Sequence, residues 1–230
     1  LSEGLIDIDK LSLDDPKVFK LLQDCDTTGV FQLESDGMRG YLKKLKPDSF
    51  EDIVAMLALY RPGPLDAGMV DDYIQVKHGA KVRYPHEMLE EILKPTNGVF
   101  LYQEQVMKSA QVMAGYSLGG ADILRRAMGK KKVEEMAQQR EVFVKGAAEK
   151  NIEESKANEI FDLIDKFSGY GFNKSHSVAY AYISYQTAWL KSHFPAPFMA
   201  AVLSGGMDDT DRVAFTVGES MKNGVIVMAP

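Results

Sequence analysis

The densest set of side chains able to do chemistry lies at Gly119-Gly120-Ala121-Asp122-Ile123-Leu124-Arg125-Arg126-Ala127-Met128-Gly129-Lys130-Lys131-Lys132, which carries five positive charges in the eight positions 125–132. On a helix, Leu124 and Met128 share one face and Arg126 and Lys130 another, so the first pair should meet core and the second an anion. Arg125 and Arg126 are adjacent and so point about 100° apart. They cannot both grip one oxygen. They can instead bracket a chain of phosphates, or one of them can pair with Asp122, three residues before Arg125. The two glycines ahead of the run leave helix N-terminal amides approachable, a weaker attraction for an anion. The plain alternative is a solvated basic face, the commoner use of such runs.

A second cluster is Ser168-Gly169-Tyr170-Gly171-Phe172-Asn173-Lys174-Ser175-His176-Ser177, which places glycines, aromatic rings and donors in one loop between two helices. A purely structural account has a helix ending at Gly169 or Gly171, an aromatic plug of Tyr170 and Phe172, and Ser175 capping the next helix. It leaves Asn173, Lys174 and His176 without a task. Beyond the loop, Tyr180, Tyr182, Tyr185 and Trp189 lie on one amphipathic helix, where most should pack into core and one could stack on a base. Arg61, in the proline-locked turn Arg61-Pro62-Gly63-Pro64, either ends a helix or holds a guanidinium at a fixed point for a phosphate.

Other chemistry has weaker support. Asp7 and Asp9 alternate with apolar residues in Gly4-Leu5-Ile6-Asp7-Ile8-Asp9, so on a strand both carboxylates would face one side, as a two-metal site requires. An ordinary strand with one polar face explains them as well. His78, His86, His176 and His193 are scattered and Cys25 stands alone, so no zinc spacing exists. There is also no Walker loop, Rossmann fingerprint or nucleophile elbow.

The elements that must position these residues read as helices, and the fold class is mainly α, an irregular multi-helix domain behind a short strand-like connector. Asp15 and Pro16 open a helix through Leu22. Asp48 with Glu51 forms a capping-box pattern ahead of Ile53, Val54, Leu57 and Ala58, and the Arg61–Pro64 turn ends that helix. Further helices are expected at about 67–78, 86–93, 102–114, 120–128, 133–149, 155–167, 176–193, 197–203 and 209–222. With 230 residues, 45% hydrophobic and 26% charged, the chain has a globular composition. Its net charge of −6 argues against a wholly nucleic-acid-coating surface, but the acidity is concentrated in residues 1–72 (−7) and the remainder is +1. No run of about 18 apolar residues suggests a membrane span. A single cysteine and no signal-peptide pattern point to a reducing compartment, the cytoplasm. The chain opens on Leu and stops within an apolar run, so it reads as part of something longer.

Five segments, in order, resemble the C family of bacterial replicative polymerases, the alpha subunits of DNA polymerase III. They are Thr28-Gly29-Val30-Phe31-Gln32-Leu33-Glu34-Ser35, Arg61-Pro62-Gly63-Pro64-Leu65, Leu101-Tyr102-Gln103-Glu104-Gln105-Val106-Met107, Leu124 to Lys132, and Gly169 to Ser177. The resemblance implies the fingers region, a helical domain that closes over the incoming nucleotide and the primer-template. It implies no cofactor in this segment, with magnesium held by palm aspartates whose motifs are not found here, so the isolated chain is expected to be inactive. Implied partners are deoxynucleoside triphosphates, primer-template DNA, the palm and other polymerase domains, and replisome subunits, with no membrane. Expected nucleotide-binding residues are Arg125, Arg126 and Lys130, then Asn173, Lys174 and His176, then Arg61; Lys131 and Lys132 are expected nearer to DNA phosphates. Residues 1–15 are read as a connector from the palm, 16–222 as the helical domain, and 223–230 as the start of the next segment. The alternative is a scaffolding domain whose basic residues pair with acidic protein surfaces.

Overall fold

A computed structural model describes residues 6–130 and 133–228. They form thirteen α-helices: α1 Pro16–Gln23, α2 Asp36–Leu45, α3 Phe50–Leu59, α4 Pro62–Asp66, α5 Met69–Lys77, α6 Glu90–Leu93, α7 Gln103–Ala114, α8 Leu118–Lys130, α9 Val133–Ala148, α10 Glu154–Phe167, α11 Lys174–His193, α12 Pro195–Ser204 and α13 Thr210–Lys222. The fold is mainly α, as expected. No sheet forms among the described residues, whose one extended pairing is an isolated bridge between Tyr102 and Phe172. The chain divides into two compact units, one of residues up to Val54 and from Val178 onward, the other Ala55–Ser177, with boundaries inside α3 and α11.

Local chemistry explains the first helix starts. Asp15 accepts a hydrogen bond from the Lys17 amide at 2.8 Å, with Pro16 at the first helical position of α1. At α3 the capping box lies one residue later than expected. Ser49 and Asp52 exchange side-chain-to-amide bonds, and Asp52 also accepts from the Asp48 amide at 3.0 Å. Helix α2 has no counterpart among the expected helices, because Gly37 and Gly40 interrupt its pattern; Ser35 caps it through the Met38 amide. The strand expected at the start is replaced, where described, by a 3₁₀ turn at Ile8–Lys10. Asp7 accepts from the Asp9 amide and its carboxylate pairs with Lys10 at 2.8 Å, a local bonding pattern that competes with extended structure. Gly4 and Leu5 of that stretch lie outside the described residues.

In the first unit, Val18, Leu22, Leu33, Leu42 and Leu45 are fully buried with Tyr185, whose hydroxyl donates to the Ser12 carbonyl and accepts from the Asp15 amide. The segment from Thr28 to Ser35 is a tied loop: Glu34 accepts from the Gly29 amide at 3.0 Å, and Ser184 donates to the Phe31 carbonyl at 2.8 Å. Lys191 is buried, and its ammonium reaches the carbonyls of Asp26 and Thr28 and the Asp26 carboxylate at 2.7–3.1 Å. Burial lowers its pKa, and Asp26 offsets part of that shift.

The second unit is built on α7–α10. Their shared core contains Met113, Leu124, Met128, Phe143, Phe161 and Ile164, with the Phe143 and Phe161 rings 5.5 Å apart. Helices α7 and α9 approach so closely at Gly146 that a Cβ there would collide with the Ala114 carbonyl oxygen. Gln105 is a buried joint. Its side-chain oxygen accepts from the Leu101 and Tyr102 amides at 2.9 Å, and its nitrogen donates to the Ile92 carbonyl and Thr96 hydroxyl.

Candidate functional site: two cationic clusters of the second unit

The first cluster joins three sequence segments far apart in the chain. Phe172 pairs with residues 101–103 through two backbone bonds, the Gln103 amide to the Phe172 carbonyl at 2.9 Å and the Phe172 amide to the Leu101 carbonyl at 3.2 Å. Arg61 reaches the same loop: its Nη2 donates to the Tyr170 carbonyl at 2.7 Å, and its Nε donates to the Ala58 carbonyl at 2.9 Å. The guanidinium carbon stands 4.3 Å from the centre of the Phe172 ring. Half-burial lowers the Arg61 pKa from its usual very high value. Gly63, two residues on, must lack a side chain because the Tyr170 ring occupies the place a Cβ would take. The proline-locked turn therefore holds the 170–172 loop.

Glu104 completes this cluster from the first turn of α7. Its carboxylate accepts from the Lys174 amide at 3.1 and 3.2 Å and from the Asn173 side chain at 3.1 Å. Asn173, not Ser175, caps α11 by accepting from the His176 amide at 2.8 Å. A carboxylate and a capping oxygen thus face the positive end of a twenty-residue helix. The His176 ring meets the Phe172 ring edge-on at 5.4 Å, and the Lys174 ammonium lies 5.5 Å from the Tyr102 ring centre. The structure brings Arg61, Asn173, Lys174 and His176 together and gives each a role within the protein. Nothing in the sequence marks Glu104 beyond its place in the segment Leu101-Tyr102-Gln103-Glu104-Gln105-Val106-Met107. A lone glutamate on a helix gives no sign that a loop 69 residues later will close on it.

The second cluster is on α8. Leu124 and Met128 are buried, whereas Arg126 and Lys130 are exposed. The helix starts at Leu118, two residues before the expected position, and Ser117 accepts from the Gly120 amide at 3.1 Å. That amide is therefore already capped. Both arginines turn to Asp122. Arg125 places Nε and Nη2 at 2.9 and 2.8 Å from Oδ1, and Arg126 places Nη2 at 2.6 Å from Oδ2. Adjacent arginines thus share one carboxylate by taking separate oxygens. Their hydrogen bonds and charges hold the Asp122 pKa below its usual value. Lys131 and Lys132 lie outside the described residues.

The described residues contain no group of three or more His, Cys, Asp or Glu placed to hold a metal ion. Asp7 and Asp9 are occupied by the Lys10 pair and by a bond from Gln186 at 3.3 Å, so the ligand set for a two-metal site does not fit here. No described helix is long and apolar enough to cross a membrane.

Comparison with known proteins adds an independent line. Residues 2–151 match the family described as bacterial DNA polymerase III alpha subunit finger domain. The chain is 58% identical, over 98% of its length, to DNA polymerase III subunit alpha of Pseudomonas aeruginosa. It is 58% identical over 97% of its length to that of Vibrio cholerae, and 56% identical over 99% to that of Escherichia coli K12. It spans about a fifth of the length of these curated relatives, 20% in each case. The loop at 169–177 falls beyond the family match, but the relatives' alignments cover 97–99% of the chain. With the family match extending over more than half of its residues, this chain belongs to the bacterial DNA polymerase III alpha subunit finger domain family.

Proposed function

We propose that this chain serves DNA-directed DNA synthesis as the fingers of a replicative polymerase, binding the triphosphate of the incoming nucleotide and the phosphates of the primer-template. In the reaction a primer 3′-hydroxyl attacks the α-phosphate and pyrophosphate leaves. Divalent magnesium supplies charge stabilisation at the transferring phosphate, and no residue described here is assigned to hold it. The chain's own part is to bind and orient. Arg125, Arg126 and Lys130 are assigned to the triphosphate, and Lys131 and Lys132 to DNA phosphates. Lys174 and His176 are assigned to the nucleotide side of the 170–176 loop, with Asn173 and Arg61 fixing that loop's shape. Residues 16–222 are taken as the functional domain, with 1–15 a connector and 223–230 the start of the next segment. The setting is the cytoplasm, with the palm, other polymerase domains and replisome subunits as protein partners.

The observation that carries this reading is the convergence of Arg125 and Arg126 on one small anion, the Asp122 carboxylate, with Lys130 exposed one turn beyond Arg126. Two guanidiniums gathered on an exposed face suit a chain of phosphates. The competing reading is protein docking, favoured by Leu118 and Ile123, which are 69% and 58% exposed on the same helix. Steady-state primer extension by the complete polymerase decides between them. Arg126→Ala should raise KM for all four deoxynucleotides alike, because all carry the same phosphates. Loss of a charge-assisted contact of about 1.5–3 kcal/mol corresponds to about ten- to hundredfold in kcat/KM. Arg126→Lys should recover only part, since a point charge lacks the bidentate fork. Unchanged nucleotide kinetics with weakened subunit binding would favour docking.

A further inference from the structure

The carboxylate between Arg125 and Arg126 is a partly exposed feature of α8 that the core does not require. Asp122 lies on the helix surface with its side chain 29% exposed, while the neighbouring buried positions Ala121, Leu124, Ala127 and Met128 make the packing contacts. An isolated arginine at i+3 or i+4 from an aspartate is an ordinary surface pair worth little. Here both arginines choose the same carboxylate, one oxygen each, although they leave the helix in different directions. The two heads are thereby held within a carboxylate's width plus two contacts of each other, close enough for neighbouring phosphate oxygens to reach both. An incoming polyphosphate carries more charge and more acceptor oxygens than one carboxylate, so it can take over both partners. It must first displace the anion already present.

We propose that Asp122 is a resident counter-anion of the α8 site, a positioning residue that gathers the two guanidiniums and is exchanged for the nucleotide's phosphates. This rests on the assignment of Arg125 and Arg126 to the triphosphate. The affinity measured for any deoxynucleotide then contains the cost of breaking the Arg125 and Arg126 contacts to Asp122, at 2.6–2.9 Å. Removing that competitor strengthens nucleotide binding, where an ordinary supporting residue would weaken it on removal.

The test is steady-state primer extension by the complete polymerase, with each deoxynucleotide varied in turn and inorganic triphosphate used as a competitor. Asp122→Asn should lower KM for all four nucleotides by about three- to tenfold and strengthen inhibition by inorganic triphosphate in parallel. Asp122→Glu, which restores the charge, should return both toward the parent values. Glu134→Gln removes an exposed carboxylate from the first turn of α9 and controls for general charge; it should shift KM less than twofold. A KM that is unchanged or raised in Asp122→Asn overturns the proposal, as does an equal fall in Glu134→Gln. Arg126→Ala keeps the two levels apart. If it leaves KM unchanged for every nucleotide, the triphosphate assignment fails. If it raises KM while Asp122→Asn does not lower it, only the counter-anion role fails.

Discussion

At Arg61 one side chain meets three partners: the Ala58 carbonyl in its own turn, the Tyr170 carbonyl and the face of Phe172. Removing it would leave a part-buried carbonyl without its donor and release the loop whose Tyr170 ring packs on Gly63. Arg61→Ala should therefore lower the unfolding free energy by about 1.5–3 kcal/mol. Arg61→Lys should restore less than half, because an ammonium cannot serve two carbonyls and lie flat on a ring at once. Chemical denaturation of both variants measures this; melts that match the parent would return Arg61 to a purely ligand-binding role. The sequence showed a rigid turn carrying a cation but left both uses open, because the second carbonyl lies 109 residues away.

The helices of the second unit are fixed by contacts as local as a missing methyl. Gly146 in α9 faces the Ala114 carbonyl at the end of α7, whereas Gly129 in α8 has nothing within 4 Å of an added Cβ. The same substitution should then have opposite signs. Gly146→Ala should cost about 1–3 kcal/mol or more, because backbone must move, while Gly129→Ala should be neutral or stabilising by up to about 1 kcal/mol from helix propensity. Equal melting temperatures for the two variants would contradict this close approach. Sequence patterns located eleven of the thirteen helices to within a few residues. They missed α2, whose glycines weaken the signal, and the short α4, which begins inside the turn expected to stop a helix.

For the chain as a whole, the prediction follows from charge and from the ligand sets it offers. Its basic run is local and its net charge is −6, so its affinity for a primer-template duplex should be weak and fall steeply with salt. By itself the 230-residue chain should extend no primer with magnesium or manganese, since two metals must sit beside the attacking hydroxyl. Filter binding across a salt series and a primer-extension gel measure the two expectations. Tight, salt-insensitive binding, or extension that co-purifies with the chain, would overturn them.

The sequence by itself determined what depends on neighbours along the chain: the helical class, the Asp15 and Pro16 start of α1, the buried Leu124–Met128 face opposite exposed Arg126 and Lys130, and the family resemblance. These are short-range matters of period, capping and residue order. Tertiary structure decided which partners those residues take. Glu104 binds the start of α11, Arg61 reaches the Tyr170 carbonyl, and Gln103 pairs with Phe172 across 68 or more residues of chain. The Asp122 pairing lay between the two levels. Spacing made it available to Arg125 at i+3 and to Arg126 at i+4, and the rotamers the fold selects let both take it at once, one oxygen each. Backbone and side-chain donors must all find acceptors once a segment is buried, and only packing elements from distant sequence against one another settles which acceptors those are.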